Sequence, residues 1–316
     1  MQDGFHNMLK LWGIDSDRLR SDIFIPGSSE RCVQRHVVED EDGRLWVLER
    51  LFPRQHERRE RIGRALGVLR AAGMPVLSYQ AGRDGEYVVP ESGFHWQLAP
   101  YVPGDPLPQP DFVDHAERGG HLADFLISLR REGTGIREFD HEPDFDLPAY
   151  VDDLMRAVQS HKPELYRALF PIREILTPFF ETWDELPRSL CHGDFHPLNV
   201  IWRGMDVAAV IDWEFAGLRP VLYDAANCLG CVGIEDPDAL GNGLAPAMLR
   251  RMHHGGLLDD ISFGWLPQLL LGLRFAWMSE WLRRKDSEMQ ELEVDYMSLL
   301  ARNLEGLGRM WRSRME

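Results

Sequence analysis

An aspartate at 194, an asparagine five residues on at 199 and a second aspartate at 212 are the residues best placed to do chemistry together. The first two lie in Leu190-Cys191-His192-Gly193-Asp194-Phe195-His196-Pro197-Leu198-Asn199-Val200-Ile201, the third in Val210-Ile211-Asp212-Trp213-Glu214. Phosphoryl transfer from a nucleoside triphosphate asks for groups of these types in this order. A carboxylate orients the attacking hydroxyl and takes its proton, while an amide oxygen and a second carboxylate suit Mg2+, a hard cation. That spacing makes Asp194 the expected base, Asn199 and Asp212 the expected metal ligands, and ATP with Mg2+ the implied cofactors. One magnesium carboxylate arises by chance in many loops; three groups at this spacing, with apolar strands between the last two, are far more specific. The competing reading is a loop held by side-chain-to-backbone hydrogen bonds, with Asp212 as a strand-end cap.

His192 joins the catalytic set as the residue that fixes the loop by hydrogen bonding, rather than as an acid or base. For His196 a role in the site and plain loop packing both stay open. The two histidines have the i, i+4 spacing of a zinc pair. They lie in a Gly- and Pro-containing loop, however, and lack the glutamate base of H-E-x-x-H, which argues against zinc.

The elements that must hold these groups can be read from hydrophobic period. From Ser21 to Leu51 the chain reads as an antiparallel meander. Asp22–Pro26 and Cys32–Val38 are strand-like, Asp42-Gly43 is a turn signal, and Arg44–Leu51 is the return strand. Pro53 to Gly73 turns helical, with Ile62, Leu66 and Leu69 on one face, Glu57 and Glu60 on the other. Short strands follow at Tyr87–Val89 and His95–Ala99, then a Pro/Gly-rich connector, Tyr101–Pro108. Beyond it helices are expected near Phe112–Arg131, Pro148–Leu169, Pro171–Glu185, Asp236–His254, Phe263–Arg284 and Ser287–Arg312. The catalytic stretch interrupts them as a hairpin, Asn199–Trp202 against Val207–Ile211.

Composition narrows the class. With 51 acidic against 35 basic residues the net charge is −16, which disfavours a binder of nucleic acid or anionic membrane. It is compatible with a cationic substrate. Four cysteines are too few for a disulfide scaffold, and Cys228 with Cys231 reads as small residues on a buried helix face. The start lacks a signal-peptide pattern, and the apolar stretch Phe263–Met278 is broken by Pro267, Gln268 and Arg274. A cytoplasmic enzyme is expected, where ATP is available.

In the quoted loop and hairpin the chain resembles the aminoglycoside phosphotransferase/choline kinase family, which includes homoserine-kinase-like enzymes. Its hallmark, H-G-D-x-H-x-x-N followed by I-D-W/F-E/D, is matched closely. The resemblance implies an α+β, bilobal protein-kinase-like fold that phosphorylates small-molecule hydroxyls. Residues 1–101 would form the nucleotide-binding lobe and 102–316 the catalytic and substrate lobe. A downstream D-x-A element braces the catalytic loop in the family; Leu222-Tyr223-Asp224-Ala225 matches it, so Asp224 is expected to be structural.

The same resemblance places adenine at the connector, between the carbonyl of Pro100 and the amide of Val102. It makes the turn Gly27-Ser28-Ser29-Glu30 a flap, with Ser28 and Ser29 on the phosphates, although a plain β-turn reads equally well. One departure stands out. On the strand where the family carries a phosphate-binding lysine or arginine, the inward position is Glu49, and Arg50 comes one step later. Either that strand bulges or Arg50 points away. The helix suggests an exchanged pair, Glu49 with Arg58 or Arg59, leaving that arginine for phosphate; Arg58 is the assignment carried forward.

The family walls its acceptor pocket with C-terminal helices. Arg274, Trp277 and Trp281 share a helix face near Glu280, which would suit an ammonium group, a carboxylate at Arg274, or only a core. Glu214 either reaches the acceptor or caps the strand end. Amino alcohols, aminoglycosides, amino sugars and homoserine remain open as acceptors. The alternative class is a nucleotide-binding pseudokinase or regulatory module, prompted by the absent lysine. A protein kinase is disfavoured because no D-F-G or A-P-E segment occurs.

Overall fold

The computed structural model describes residues 8–25 and 32–315, leaving aside the side chains at 16 and 17. The expected flap, with Ser28 and Ser29, lies outside the described residues.

The first lobe is built on a five-stranded antiparallel sheet of order β1-β2-β3-β5-β4. Its strands are β1 (Ser16–Leu19), β2 (Gln34–Asp40), β3 (Leu45–Leu51), β4 (Val89–Glu91) and β5 (Phe94–Pro100). The strand expected at Asp22–Pro26 is instead a turn and irregular chain through residue 25, and β1 lies upstream. β1 has no apolar alternation of its own to announce it. Pairing with β2 holds it, and just past its end Arg20 joins Arg18 on Glu39, each at 2.9 Å. At the β2–β3 turn Gly43 takes φ +79°, and the Asp40 carboxylate accepts from the amides of Asp42 and Arg44 at 3.0 and 2.8 Å.

The outer face of this sheet buries Val38, Leu48, Trp96 and Leu98 against Leu9 and Trp12. Its inner face meets α1 (His56–Ala71), whose Ile62, Leu66 and Leu69 are buried as expected. Gly63 lets the ring of Tyr87 lie against that helix; a Cβ there would come within 2.5 Å of it. Glu60 corrects the reading of an outward glutamate. It is buried, and its carboxylate accepts from the amides of Tyr87 and Val88 at 2.8 Å each. The loop before β4 thus uses a helix carboxylate in place of a strand partner.

The second lobe is mainly helical: α2 (Ala116–Glu132), α3 (Leu147–His161), α4 (Pro163–Ile175), α5 (Thr177–Glu181), α6 (Tyr223–Glu235), α7 (Leu244–His254), α8 (Asp260–Gly264), α9 (Leu266–Arg284) and α10 (Ser287–Met315). The single helix expected at Pro148–Leu169 divides before Pro163, which lacks the N–H to continue a helix and starts the next one. α6 is missing from the helices expected by period, and only the buried face of Cys228 and Cys231 pointed to it, because it is buried nearly all round and shows no polar face. The other surprise is a two-stranded pair, β6 (Arg188–Cys191) with β9 (Gly217–Pro220), which brackets the catalytic segment. Between them runs the expected hairpin, β7 (Val200–Arg203) and β8 (Asp206–Val210). No helix among the described residues is long and apolar enough to cross a membrane.

The lobes are tied beside the hairpin. The chain after α1 bonds to β8 through Val210 N to Pro75 O, 2.8 Å, and Leu77 N to Val210 O, 3.2 Å. The connector is held by Asp105 N to Trp202 O and by the Asp105 carboxylate on Gly204 N, at 2.8 and 2.7 Å.

Candidate active site

The loop between β6 and β7 is fixed from below. The Asp224 carboxylate, at the first turn of α6, accepts from the amides of His192 at 2.7 Å and Gly193 at 2.8 Å. Burial pushes its pKa up to about 6, against the pull of those two amides and of Arg219. Gly193 has φ +84°, and a Cβ there would lie 2.0 Å from the carbonyl oxygen of Phe215, so only glycine fits. Phe195 anchors the loop by stacking on Phe125 at 5.3 Å in the core. His192 is fully buried; its Nε2 meets the carbonyl of Ile211 at 2.8 Å, and its Nδ1 accepts from Asp194 N at 3.2 Å. An Nδ1 that accepts makes this ring the neutral Nε2–H tautomer, a spacer between loop and hairpin.

Asp194 is held on both sides. Asn199 Nδ2 donates to its carbonyl at 2.8 Å and to Oδ2 at 3.0 Å. Oδ1 faces Asn227 Nδ2 at 3.5 Å and His196 Nε2 at 3.7 Å. Burial raises its pKa, but hydrogen bonding from His196 and Asn199 outweighs that and holds it below the ordinary value. It is therefore an ionised acceptor near neutral pH, with its side chain 23% exposed.

Asn199 presents its Nδ2 to Asp194, so Oδ1 is turned away from that carboxylate. Its carbonyl accepts from Ile211 N at 3.0 Å, which places Asp212 one residue beyond. Asp212 adopts the left-handed conformation, φ +71° and ψ +57°, costly for a non-glycine residue and held here by the 3₁₀ turn Trp213–Phe215. An amide oxygen and a carboxylate oxygen fit a magnesium ion that keeps waters and shares phosphate oxygens. Among the described residues no cluster of three or more His, Cys, Asp or Glu forms a metal cage.

Several expected residues sit elsewhere. Arg58 does not face the nucleotide side: it donates to the carbonyls of Glu214 at 2.9 Å and Ala216 at 2.6 Å, and pairs with Glu142. The neighbouring Arg59 lies under the sheet instead, between Glu49 at 3.5 Å and Glu214 at 2.5 Å. Consecutive helix residues point about 100° apart, so only one of the two could share the face of Ile62 and Leu66. Glu214 thus reaches the sheet-side arginine, not a strand-end cap. β3 keeps an unbroken register, and Arg50 stacks over Phe94 at 4.7 Å on the outer face.

On α9, Arg274 is removed from any substrate role. It is buried and forms two 2.6 Å bonds to Glu293 of α10. Trp281 donates to the same carboxylate at 3.0 Å, and Glu280 binds Arg283 and Arg284. Trp277 alone of this set touches the catalytic region, donating to Asn227 Oδ1 at 3.1 Å with its ring 5.8 Å from that of His196. Asn227, missed by the sequence reading, sits three residues after Asp224 on α6 and so points to the same loop. The ion pair invites a stability test. Arg274→Met would leave Glu293 charged and buried, and is expected to cost about 3–5 kcal/mol in urea unfolding. The double variant Arg274→Met/Glu293→Leu should recover most of that loss.

The two lobes, the braced loop and the hairpin define a protein-kinase-like phosphotransferase fold, the fold also found in solved structures. An aminoglycoside phosphotransferase from Alicyclobacillus acidocaldarius superposes with a TM-score of 0.61 at 16% identity, covering 94% of this chain and 99% of that one. An amicoumacin kinase in complex with AMP-PNP and Ca2+ gives 0.62 at 14% identity, covering 97% and 92%. A model of the phosphotransferase enzyme family matches residues 33–265, and the chain belongs to that family. Among curated relatives, a homoserine kinase of Rhodopseudomonas palustris is 37% identical over 93 residues, 29% of this chain and 28% of that protein. A homoserine kinase of Granulibacter bethesdensis is 26% identical over 243 residues, 73% of each. The matches to the first three of these homoserine kinases span only 28–38% of their lengths.

Proposed function

We propose that the protein transfers the γ-phosphoryl group of ATP to a hydroxyl of a small amino-bearing molecule, with homoserine the first acceptor to test. The observation that carries this is the Asp194 carboxylate, held on Oδ2 by Asn199 and braced from below by Asp224. An ionised carboxylate fixed in that way can orient an acceptor hydroxyl toward a phosphorus atom and accept its proton as the bond to phosphorus forms. Asn199 Oδ1 and the Asp212 carboxylate would hold Mg2+, which when bound offsets phosphate charge. His192 spaces the two halves of the site, and the main chain of Pro100 and Val102 would meet the adenine. In an antiparallel ladder successive residues turn their main-chain groups to opposite edges. Because Tyr101 N donates to Leu45 O at 2.9 Å, Pro100 turns its carbonyl away from β3. In this reading the nucleotide lobe runs to Tyr101, and the enzyme works in the cytoplasm, where ATP is available.

Beyond Phe215 lies a cavity of about 730 Å3 whose walls include Arg58, Arg61, Glu142, Asp146, Tyr150 and Asp153, and in this reading it serves the acceptor. Charges of both signs beside an aromatic ring suit an acceptor that is itself zwitterionic or amine-bearing. With Arg274 buried against Glu293, a carboxylate on the acceptor would have to look to this cavity. Coupled ADP release with MgATP, run against homoserine, other amino alcohols, sugars and aminoglycosides, tests the proposal. Turnover with one acceptor class is expected. MgATP binding without turnover on any of them would overturn the assignment as a small-molecule kinase.

A further inference from the structure

The inner face of the sheet carries two rows of side chains across β2, β3 and β5. Val37, Val47 and Ala99 are aligned in one row, next to Pro100 and the connector. Arg35, Glu49 and Gln97 are aligned in the other, two residues further along each strand. Residues two apart share a face, so the rows are about 7 Å apart. An apolar row and a charged row at that separation match the two ends of a nucleoside triphosphate, a flat base and a polyanionic tail.

The charged row is continuous with the proposed metal ligands. Glu214, two residues after Asp212, binds Arg59 at 2.5 Å, and Arg59 lies 3.5 Å from Glu49. A triphosphate beside Glu49 requires a cation, and the described residues of that cluster offer Arg59 and Arg35. Arg59 is only 4% exposed, enclosed by Glu49, Glu214, Tyr79 at 3.0 Å and Gln97 at 3.2 Å. Turning it toward a ligand would take from Glu214 its 2.5 Å cation partner and break the bonds to Tyr79 and Gln97, a costly exchange. Arg35 is different. Its side chain is 18% exposed, and its Nε and Nη2 lie 2.7 and 2.5 Å from Glu49 Oε1. A planar guanidinium can be held by a carboxylate along one edge and present donors to phosphate along another.

We propose that Arg35 on β2 is the residue that meets the nucleotide phosphates, aimed by Glu49, while Arg59 neutralises Glu49 from beneath. The inference rests on the nucleotide-dependent reading above and places the phosphate contact on β2, not on α1 where Arg58 was expected to supply it. Glu49 then orients a cation instead of being one.

The test is calorimetric binding of MgATP and, separately, of adenosine to the full chain and to Arg35→Ala, Arg35→Lys and Glu49→Gln. Arg35→Ala is expected to weaken MgATP by about tenfold to a hundredfold, the range of a charge-assisted contact, with adenosine unchanged within about twofold. Arg35→Lys should fall between, keeping charge without the planar fork, and Glu49→Gln should weaken MgATP by a smaller factor. Unchanged MgATP affinity in Arg35→Ala overturns the proposal. Equal loss of adenosine and MgATP overturns it too, since the damage would then be to the lobe and not to a phosphate contact. If the parent protein binds no MgATP, the nucleotide reading itself falls, an outcome visible before any variant is compared.

Discussion

Asp194→Asn is expected to lower kcat by about a thousandfold with little change in MgATP affinity. The substitution keeps the shape and an oxygen that can accept from Asn199, but it removes the basic carboxylate. Its pKa is held below the ordinary value by hydrogen bonding despite burial, so the charged form is the working form across the neutral range. An amide cannot take the proton of the acceptor hydroxyl. Steady-state kinetics with the acceptor found by the ADP-release panel, together with calorimetric MgATP binding, checks both halves. Retention of more than a tenth of parent kcat would remove Asp194 from the role of base.

The second large effect concerns Asp224, and it runs in opposite directions for activity and for stability. Burial raises its pKa from 3.8 to about 6. Below that value the carboxyl is protonated, and one of the oxygens that accept from the amides of His192 and Gly193 becomes a donor facing a donor. The catalytic loop should then loosen, giving kcat/KM an acid limb with a midpoint near 6 that Asp194 does not set. Stability has the reverse sign. A group whose folded pKa is raised contributes stability fully below 3.8, and the contribution is lost as pH rises through about 6. The difference amounts to on the order of 3 kcal/mol. His36 and His95, whose pKa values burial lowers, pull the other way as pH falls below 6.5, so a comparison is needed. Asp224→Asn should therefore gain on the parent by about that amount between pH 4 and pH 8 in urea unfolding, while staying poorly active throughout. A stability difference that does not change with pH would show that Asp224 keeps its ordinary pKa.

The parts of the site legible in the sequence are those whose geometry is local. The eight residues His192–Asn199 form one loop and its 3₁₀ turn, and Asp212 follows a hairpin whose strands announce themselves by apolar run and turn. Asp224 was legible only through the resemblance, since Leu222-Tyr223-Asp224-Ala225 matches the family's D-x-A element, and its carboxylate does meet the amides of His192 and Gly193. The exchanged pair was half legible. Glu49 is inward by simple alternation, and α1 offered Arg58 or Arg59, but one helical step separates a clamp on the Ala216 carbonyl from a cation under the sheet.

What the sequence by itself determined is the succession of sheet, helix, connector, helices and catalytic hairpin, and the placement of Asp194, Asn199 and Asp212 around one loop and that hairpin, because period, turn residues and short spacing act over a few residues. Only the tertiary structure decided which charges pair. Arg274 was committed to Glu293 from another helix, Glu60 to the loop before β4, Arg35 to Glu49 across a strand pair, and Trp277 to Asn227 fifty residues away. A long charged side chain has many partners within reach, and its choice is set by which of them packing buries beside it. That is a property of elements brought together over tens to hundreds of residues, so it becomes visible only once the lobes are assembled.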